Sequence, residues 1–542
     1  MTQLTGGSAI VAGLTAHGID TVFGLPGAQI YGLFDGFAQA QMRVIGARHE
    51  QACGYMAFGA ARSTGRPAAF SVVPGPGVLN AGAAMLTAFG CNEPVLCLTG
   101  EVPTPYLGKG RGHLHEMPDQ LGTLRSFVKW ADRIAYPGDA PTKVARAFQE
   151  MQSGRRGPAA LEMPWDVFTQ KAEVAATTPL APFAPPPPDP DRIKAAAALI
   201  AGSKTPMIFV GSGAFHAADE ILDLAEMIDA PVVAFRSGRG IVSNDHELGL
   251  TIAAAYRLWP QTDLAIAIGT RLELPQMRWQ MMPAGLKTIR IDIDPAEFRR
   301  LAADAAIVAD AKAGTRDLAA AVSRTGYAKS AGRRAAIRDA AAAAAQAIQA
   351  IQPQMAYLDV LRDVLPRNAI VTDELSQVGF ASWYGFPVYE PRTFVTSGYQ
   401  GTLGSGFPTA LGAKVANPDR AVVAITGDGG FMFAVQELAT AVQFNIGVVT
   451  LVFNNNAYGN VRRDQINQFG GRVVASDLVN PDFVKLAESF GVGAARVTAP
   501  SQFRRALETA LADGGPYVIV IEIETGAEAS PWAFIHPTGP MA

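Results

Sequence analysis

Residues 421–459 read AVVAITGDGGFMFAVQELATAVQFNIGVVTLVFNNNAYG. Ala421 to Ile425 is a short apolar run of the kind needed by a parallel strand covered on both faces. Gly427-Asp428-Gly429-Gly430 follows. A helical pattern then runs from Phe433 to Phe444, and a second apolar run, Val448 to Phe453, ends in Asn454-Asn455-Asn456. Strand, turn, helix and strand in this order predict a right-handed crossover in a parallel sheet. The polar residues gather at the C-terminal ends of both strands, where open α/β sheets bind ligands.

The residue types at those ends point to a chemistry. Asp428 supplies an anionic oxygen, Asn455 an amide oxygen, and a backbone carbonyl just beyond, that of Ala457, a third. Few protein oxygens, with room for water and phosphate, suit Mg²⁺. Gly429 and Gly430 let backbone N–H groups approach phosphate at a helix N-terminus. The stretch therefore reads as a site for a metal-bridged diphosphate. The competing reading is an ordinary βαβ unit, since Gly and Asp are common in turns.

The spaced pattern GDG and NN, with Glu437-Leu438 in the helix and Tyr458-Gly459 after the asparagines, resembles the signature of thiamine diphosphate (ThDP) enzymes. The resemblance implies ThDP and Mg²⁺ as cofactors. It places Asp428, Asn455 and Ala457 on the metal, and Gly427, Gly429, Gly430, Asn455, Tyr458 and Gly459 around the diphosphate.

Working outward, 542 residues suggest about three domains, and 49% hydrophobic residues are ample for their cores. A net charge of −3 points to no nucleic-acid or membrane partner. Cys53, Cys91 and Cys97 form no CxxC and read as reduced, buried thiols of a cytoplasmic protein. The N-terminus lacks a basic n-region, and no apolar run reaches the ~18 residues of a membrane span.

The fold class expected is α/β, with three doubly wound parallel-sheet domains spanning about 1–168, 191–325 and 352–530. In the first, Gly27 lies in a turn after the strand Thr21–Phe23, and Glu50 ends the strand Met42–Ala47 ahead of a small-residue helix. A carboxyl there is expected to be poorly solvated, which favours its protonated form; the alternative is an acid favoured by the helix dipole. Pro74 and Asn80 belong to a PGPG turn and the helix after it. His113 and His115 lie on a Gly-containing loop, GRGHLHEMPDQ, where histidines are more often functional than on an apolar face.

The context RHEQ of Glu50 resembles that of the ThDP-activating glutamate in a pyrimidine-binding domain. LHEMPDQ resembles the loop of acetolactate synthases, with His115 where that group has glutamine; pyruvate-type decarboxylases carry histidines there. This implies His115, then His113, as groups facing the reacting carbon.

Residues 169–192, with Pro185 to Pro188, predict a stiff interdomain strap. The middle domain reads as Rossmann-like, but Gly211-Ser212-Gly213 falls short of a full dinucleotide motif. In the family this domain binds FAD, ADP or CoA, or nothing. Leu272-Glu273-Leu274 departs from the run of flavin-binding synthases, which argues against FAD and for a scaffold. In the third domain, Ser376 and Gln377 end a strand and are implied diphosphate ligands. Gln400, Gly401 and Leu403 lie in a Gly-rich loop, GYQGTLGSG, whose bulky residue, Leu403, props the thiazolium in the family.

The resemblance runs through the whole chain in the order pyrimidine-binding, middle and diphosphate-binding domain, and is to the acetolactate synthase and pyruvate oxidase group. It implies a homodimer or homotetramer with the cofactor between subunits. The implied reaction is decarboxylation of a 2-oxo acid and ligation of the fragment to a second carbonyl. The alternatives are non-oxidative decarboxylation and 2-hydroxyacyl-CoA lyase action. A non-catalytic ThDP-fold subunit is the remaining alternative, and the presence of both Glu50 and Asp428 speaks against it.

Overall fold

The computed structural model describes residues 1–279 and 281–537. Three six-stranded sheets, parallel throughout, carry the chain. The first is ordered Arg43–Gly46, Thr21–Gly24, Ala68–Val72, Val95–Glu101, Ala159–Pro164, Trp130–Arg133. The third is ordered Phe394–Val395, Ile370–Thr372, Val422–Gly427, Val449–Asn454, Tyr517–Glu522, Gly493–Val497. Numbered within their own domains, both sheets follow the order 2-1-3-4-6-5. The middle sheet, from Pro206–Val210 to Ala305–Val308, follows 3-2-1-4-5-6, the Rossmann order.

The shared order has a consequence for function. In each outer domain the strand order reverses between the first and third strands, and a crevice opens at the ends of those strands. In the third domain these are Ile370–Thr372 and Val422–Gly427. In the first they are Thr21–Gly24 and Ala68–Val72.

The outer domains meet through equivalent helices, those between their second and third strands: Glu50–Thr64 and Gly406–Ala416. The contact is backbone to backbone. A Cβ on Gly412 would lie 1.9 Å from the Met56 carbonyl oxygen, and one on Gly59 would lie 2.0 Å from that of Thr409. Small residues at these positions let the two domains share one apolar core.

Several boundaries differ from the sequence reading. The strand of the opening stretch runs to Gly427, and a short helix, Asp428–Met432, starts at once; the 3₁₀ turn Val435–Glu437 separates it from Leu438–Gln443. The helix begins five residues earlier than periodicity suggested, because Gly429 and Gly430 carry no side chains to register in an apolar pattern. The strap is not wholly irregular: Lys171–Val174 pairs antiparallel with Thr2–Thr5. Phe183 of the strap packs under the Arg146 guanidinium, 5.1 Å from its carbon to the ring centroid. The three cysteines are buried and free. Among the described residues no helix is long and apolar enough to cross a membrane.

Substituting Gly412 by Ala is expected to lower the unfolding free energy by about 3 kcal/mol, because two backbones must part. Gly202→Ala, where the added carbon meets nothing within 4 Å, should leave stability unchanged or slightly raised. Urea denaturation of both variants checks this; equal effects would contradict the close approach.

Candidate active site

The switch point of the third sheet opens into a cavity of about 330 Å³. Its lining includes Glu374, Ser376, Gln377, Leu403, Gly427 to Gly430, Asn455, Ala457, Tyr458, Gly459 and Glu528. Nearly all residues assigned to the metal and diphosphate thus face one space, brought there by the ends of three adjacent strands and the loop before Gly406.

Asp428 is the first helical residue after Gly427. It is 2% exposed, and burial pushes its carboxyl above the usual range. Its Oδ1 accepts from the Gly429 N–H at 2.9 Å and its Oδ2 from the Asn480 amide at 2.7 Å. Asn455, also buried, accepts from the Ala457 N–H through Oδ1 at 3.1 Å and donates through Nδ2 to Glu528 at 2.5 Å. This fixes the Asn455 amide with its oxygen on the Ala457 side. Asp428, Asn455 and Ala457 line one cavity, and a carboxylate, an amide oxygen and a backbone carbonyl are donor types that fit Mg²⁺ with phosphate completing the shell.

The glycines are required by space. A Cβ on Gly429 would meet the Tyr458 ring at 2.4 Å, and one on Gly430 would meet Glu374 at 2.4 Å. Ser376 caps the helix Gln377–Gly385: its Oγ accepts from the Gly379 N–H at 3.0 Å. Its hydroxyl proton remains available to an oxygen. Gln377 Oε1 accepts from Arg463 at 2.8 Å. Gln400 and Gly401 do not line this cavity. Gln400 approaches Gly90 of the first domain, and Gly401 lies over Leu375.

The first-domain residues lie apart from it. Glu50 opens its helix behind the cap His49, and its Oε2 accepts from Asn80 Nδ2 at 3.0 Å. The carboxyl was expected to be poorly solvated, yet Glu50 is only half-buried and Asn80 exposed. Neither residue lines the cavity at Asp428. Gly27 packs on Val73, next to Pro74. Leu79 (56% exposed) and Leu114 (55%) lie nearby in sequence, and Phe433 (50%) and Val461 (51%) flank the Asp428 side. Exposed large apolar side chains thus occur near the site residues of both domains.

The two histidines differ. His113 leans on the Tyr106 ring at 4.6 Å between centroids, and its buried Nδ1 has no partner among the described residues. His115 turns back at φ 62°, and its Nδ1 lies 2.7 Å from Gln29 Oε1.

Four residues were missed by sequence reasoning: Gln29, Glu374, Asn480 and Glu528. Glu374 stood in the same DELSQ run as Ser376, but nothing in a run of polar residues shows which of them turns inward. It is 2% exposed, accepts from the Gly404 N–H through Oε1, and leaves Oε2 unpartnered. Burial pushes it up to about 8. Burial likewise pushes Glu528 up to about 7.

The middle domain holds a larger cavity, about 790 Å³, at the ends of its own strands. Arg236 and Arg278 on its wall share the Glu273 carboxylate, at 2.6 and 2.7 Å.

Both outer domains set polar residues at matching switch points, an Asp–Asn pair with glycines in one and a glutamate on a helix start in the other, where open α/β sheets bind ligands. Comparison with known proteins agrees. Family models for the thiamine pyrophosphate enzyme N-terminal TPP binding domain, central domain and C-terminal TPP binding domain match residues 4–123, 193–318 and 375–521. A probable acetolactate synthase large subunit of Methanocaldococcus jannaschii is 35% identical over 97% of this chain and 93% of its own length. A probable 2-ketoarginine decarboxylase, AruI, of Pseudomonas aeruginosa is 32% identical over 96% and 94%. The acetolactate synthase isozyme 1 large subunit of Escherichia coli is 29% identical over 98% and 96%. The chain belongs to the thiamine pyrophosphate enzyme family. Within it, the chain is a ThDP-dependent enzyme of the acetolactate synthase group, of the carboligase and decarboxylase type.

The buried Glu374 predicts a pH dependence. Its folded-state value of about 8 lies above the ordinary 4.5, so between those values the folded protein keeps a proton that the unfolded chain loses. Stability of the cofactor-free protein therefore falls as pH rises through this window, by about 1.4 kcal/mol per unit at most. Glu374→Gln is expected to abolish that slope, gaining a few kcal/mol over wild type at pH 8 and little at pH 5. Urea denaturation at both pH values measures it; parallel profiles would contradict the assignment.

Proposed function

We propose that two copies of this chain form each complete site, and that it decarboxylates a 2-oxo acid and joins the remaining acyl fragment to a second carbonyl. The observation that carries this reading is the division of one chain into two half-sites. Asp428, Asn455 and Ala457 face a built cavity, while Glu50 and Asn80 lie half-open on another surface. A homodimer or homotetramer brings one to the other.

Asp428, Asn455 and the Ala457 carbonyl would hold Mg²⁺. Gly429, Gly430, Ser376 and Gln377 would receive the diphosphate, and Leu403 would pack under the thiazolium. Bound ThDP supplies the electron sink for the charge left when CO₂ departs. Glu50, oriented by the Asn80 amide, would hydrogen-bond the aminopyrimidine of the bound cofactor. The partner's surface supplies the burial that favours a shared proton over a solvated carboxylate. His115 faces the substrate's oxygens and moves protons there.

The acetolactate synthases among the relatives support ligation as the outcome. A second reading, decarboxylation to a free aldehyde, is favoured by a specific feature: a histidine, His115, stands where the synthases carry glutamine. The resemblance to a probable 2-ketoarginine decarboxylase is in line with it.

Glu50→Gln is expected to keep ThDP bound and to lower turnover by about 10²-fold or more, the scale of a lost general acid–base group. Cofactor retention by calorimetry and turnover with pyruvate check it together; near-normal turnover would remove Glu50 from its role.

With ThDP, Mg²⁺ and pyruvate, CO₂ is expected together with acetolactate or acetoin. CO₂ with acetaldehyde alone would support the second reading instead.

A further inference from the structure

The first-domain crevice holds one buried polar side chain to which no role has been given. Gln29 follows the first strand of its sheet, at the switch point, and is fully buried at φ 71°. A non-glycine residue in the left-handed region is uncommon and strained, and persists where its surroundings hold it. Two contacts hold it there. Its Nε2 donates to the carbonyl oxygen of Leu114, and its Oε1 lies 2.7 Å from Nδ1 of His115.

The backbone around it is shaped for this contact. A Cβ on Gly100 would meet the Gln29 carbonyl oxygen at 2.6 Å, and one on Gly75 would meet that of His115 at 2.5 Å. Gln120 ties the same parts together. Its Oε1 accepts from the Gly75 N–H at 2.8 Å, and its Nε2 donates to the Gly100 carbonyl at 2.8 Å and to Glu162 at 2.9 Å. Residues 114 and 115 are thus clamped between two strand-end turns.

Hydrogen-bond complementarity decides the protonation pattern of the ring. Reversing the Gln29 amide would set its oxygen against the Leu114 carbonyl oxygen, two acceptors in contact. With the amide nitrogen committed to Leu114, Oε1 can only accept. Nδ1 of His115 must then carry a proton, and the second ring nitrogen of the neutral imidazole is an acceptor.

We propose that Gln29 is a positioning residue that fixes His115 as the Nδ1–H tautomer and presents Nε2 as the basic atom of the site. Nε2 accepts the proton of the hydroxyl formed at a substrate's former carbonyl oxygen as that carbonyl re-forms and, once protonated, returns it to the oxygen of the next carbonyl attacked, while Nδ1–H stays on Gln29 throughout. The site therefore works with one mobile proton on this ring. This extends the functional reading above, on which it rests for the identity of the substrate oxygen.

The test is solid-state ¹⁵N NMR of ring-labelled histidine in the ThDP- and Mg²⁺-loaded enzyme, with the His115 signals assigned by their loss in His115→Gln. A protonated Nδ1 and bare Nε2 are expected at neutral pH in wild type. Gln29→Met keeps the volume and removes the acceptor. It is expected to shift the ring toward the Nε2–H tautomer and to lower kcat 10- to 100-fold, the range for residues that orient a functional group, with KM for the 2-oxo acid changed less than about 3-fold. A bare Nδ1 in wild type would overturn the proposal, as would an unchanged tautomer and rate in a folded Gln29→Met. The wild-type spectrum decides even if that variant fails to fold. It also needs no substrate, so inactivity with pyruvate would count against the proposed reaction and not against this one.

Discussion

A parallel strand covered on both faces can present polar groups only where it ends. That constraint organises this enzyme. Val422–Gly427 and Val449–Asn454 are buried along their length, so Asp428 and Asn455 take the first positions beyond them. They emerge side by side because the strands are neighbours. The helix that starts at Asp428 places Gly429 and Gly430 on the wall of the same crevice. Burial makes the Asp428 carboxyl costly to ionise alone, which is the condition under which a divalent cation binds it well.

The first domain repeats the arrangement with other side chains. Its switch point lies between Thr21–Gly24 and Ala68–Val72, and the turns beyond them carry Gln29 and Gly75. Those turns hold the His115 loop, and Glu50 stands at the start of the helix after the neighbouring strand. The same topology thus gathers Asp428, Asn455 and glycines at one switch point and Gln29, His115 and Glu50 around the other. Close packing at Gly59 and Gly412 joins the two domains.

Much of this was legible in the sequence, for identifiable reasons. Strands buried on both faces are unbroken apolar runs, so all three sheets showed. Asp428 and Asn455 showed because their spacing is set by one crossover unit. What did not show depends on direction. Glu374 turns inward while its neighbours do not, and Glu528 reaches Asn455 from 73 residues away. Gln29 looked like part of an ordinary turn, since a positive φ on a glutamine leaves no mark in composition. Glu50, expected to be poorly solvated, is half-buried in the single chain.

The central claim is that each site draws Glu50 from one chain and Asp428 from another. Subunit complementation tests it most directly. Glu50→Gln and Asp428→Asn are each prepared as inactive proteins, then mixed in equal amounts, dissociated and reassembled. The account predicts recovery to roughly a quarter of wild-type activity, because half of the randomly formed dimers are mixed and each holds one intact site of two. Assembly of mixed dimers without any recovery would place both residues in a site made by a single chain and contradict the account.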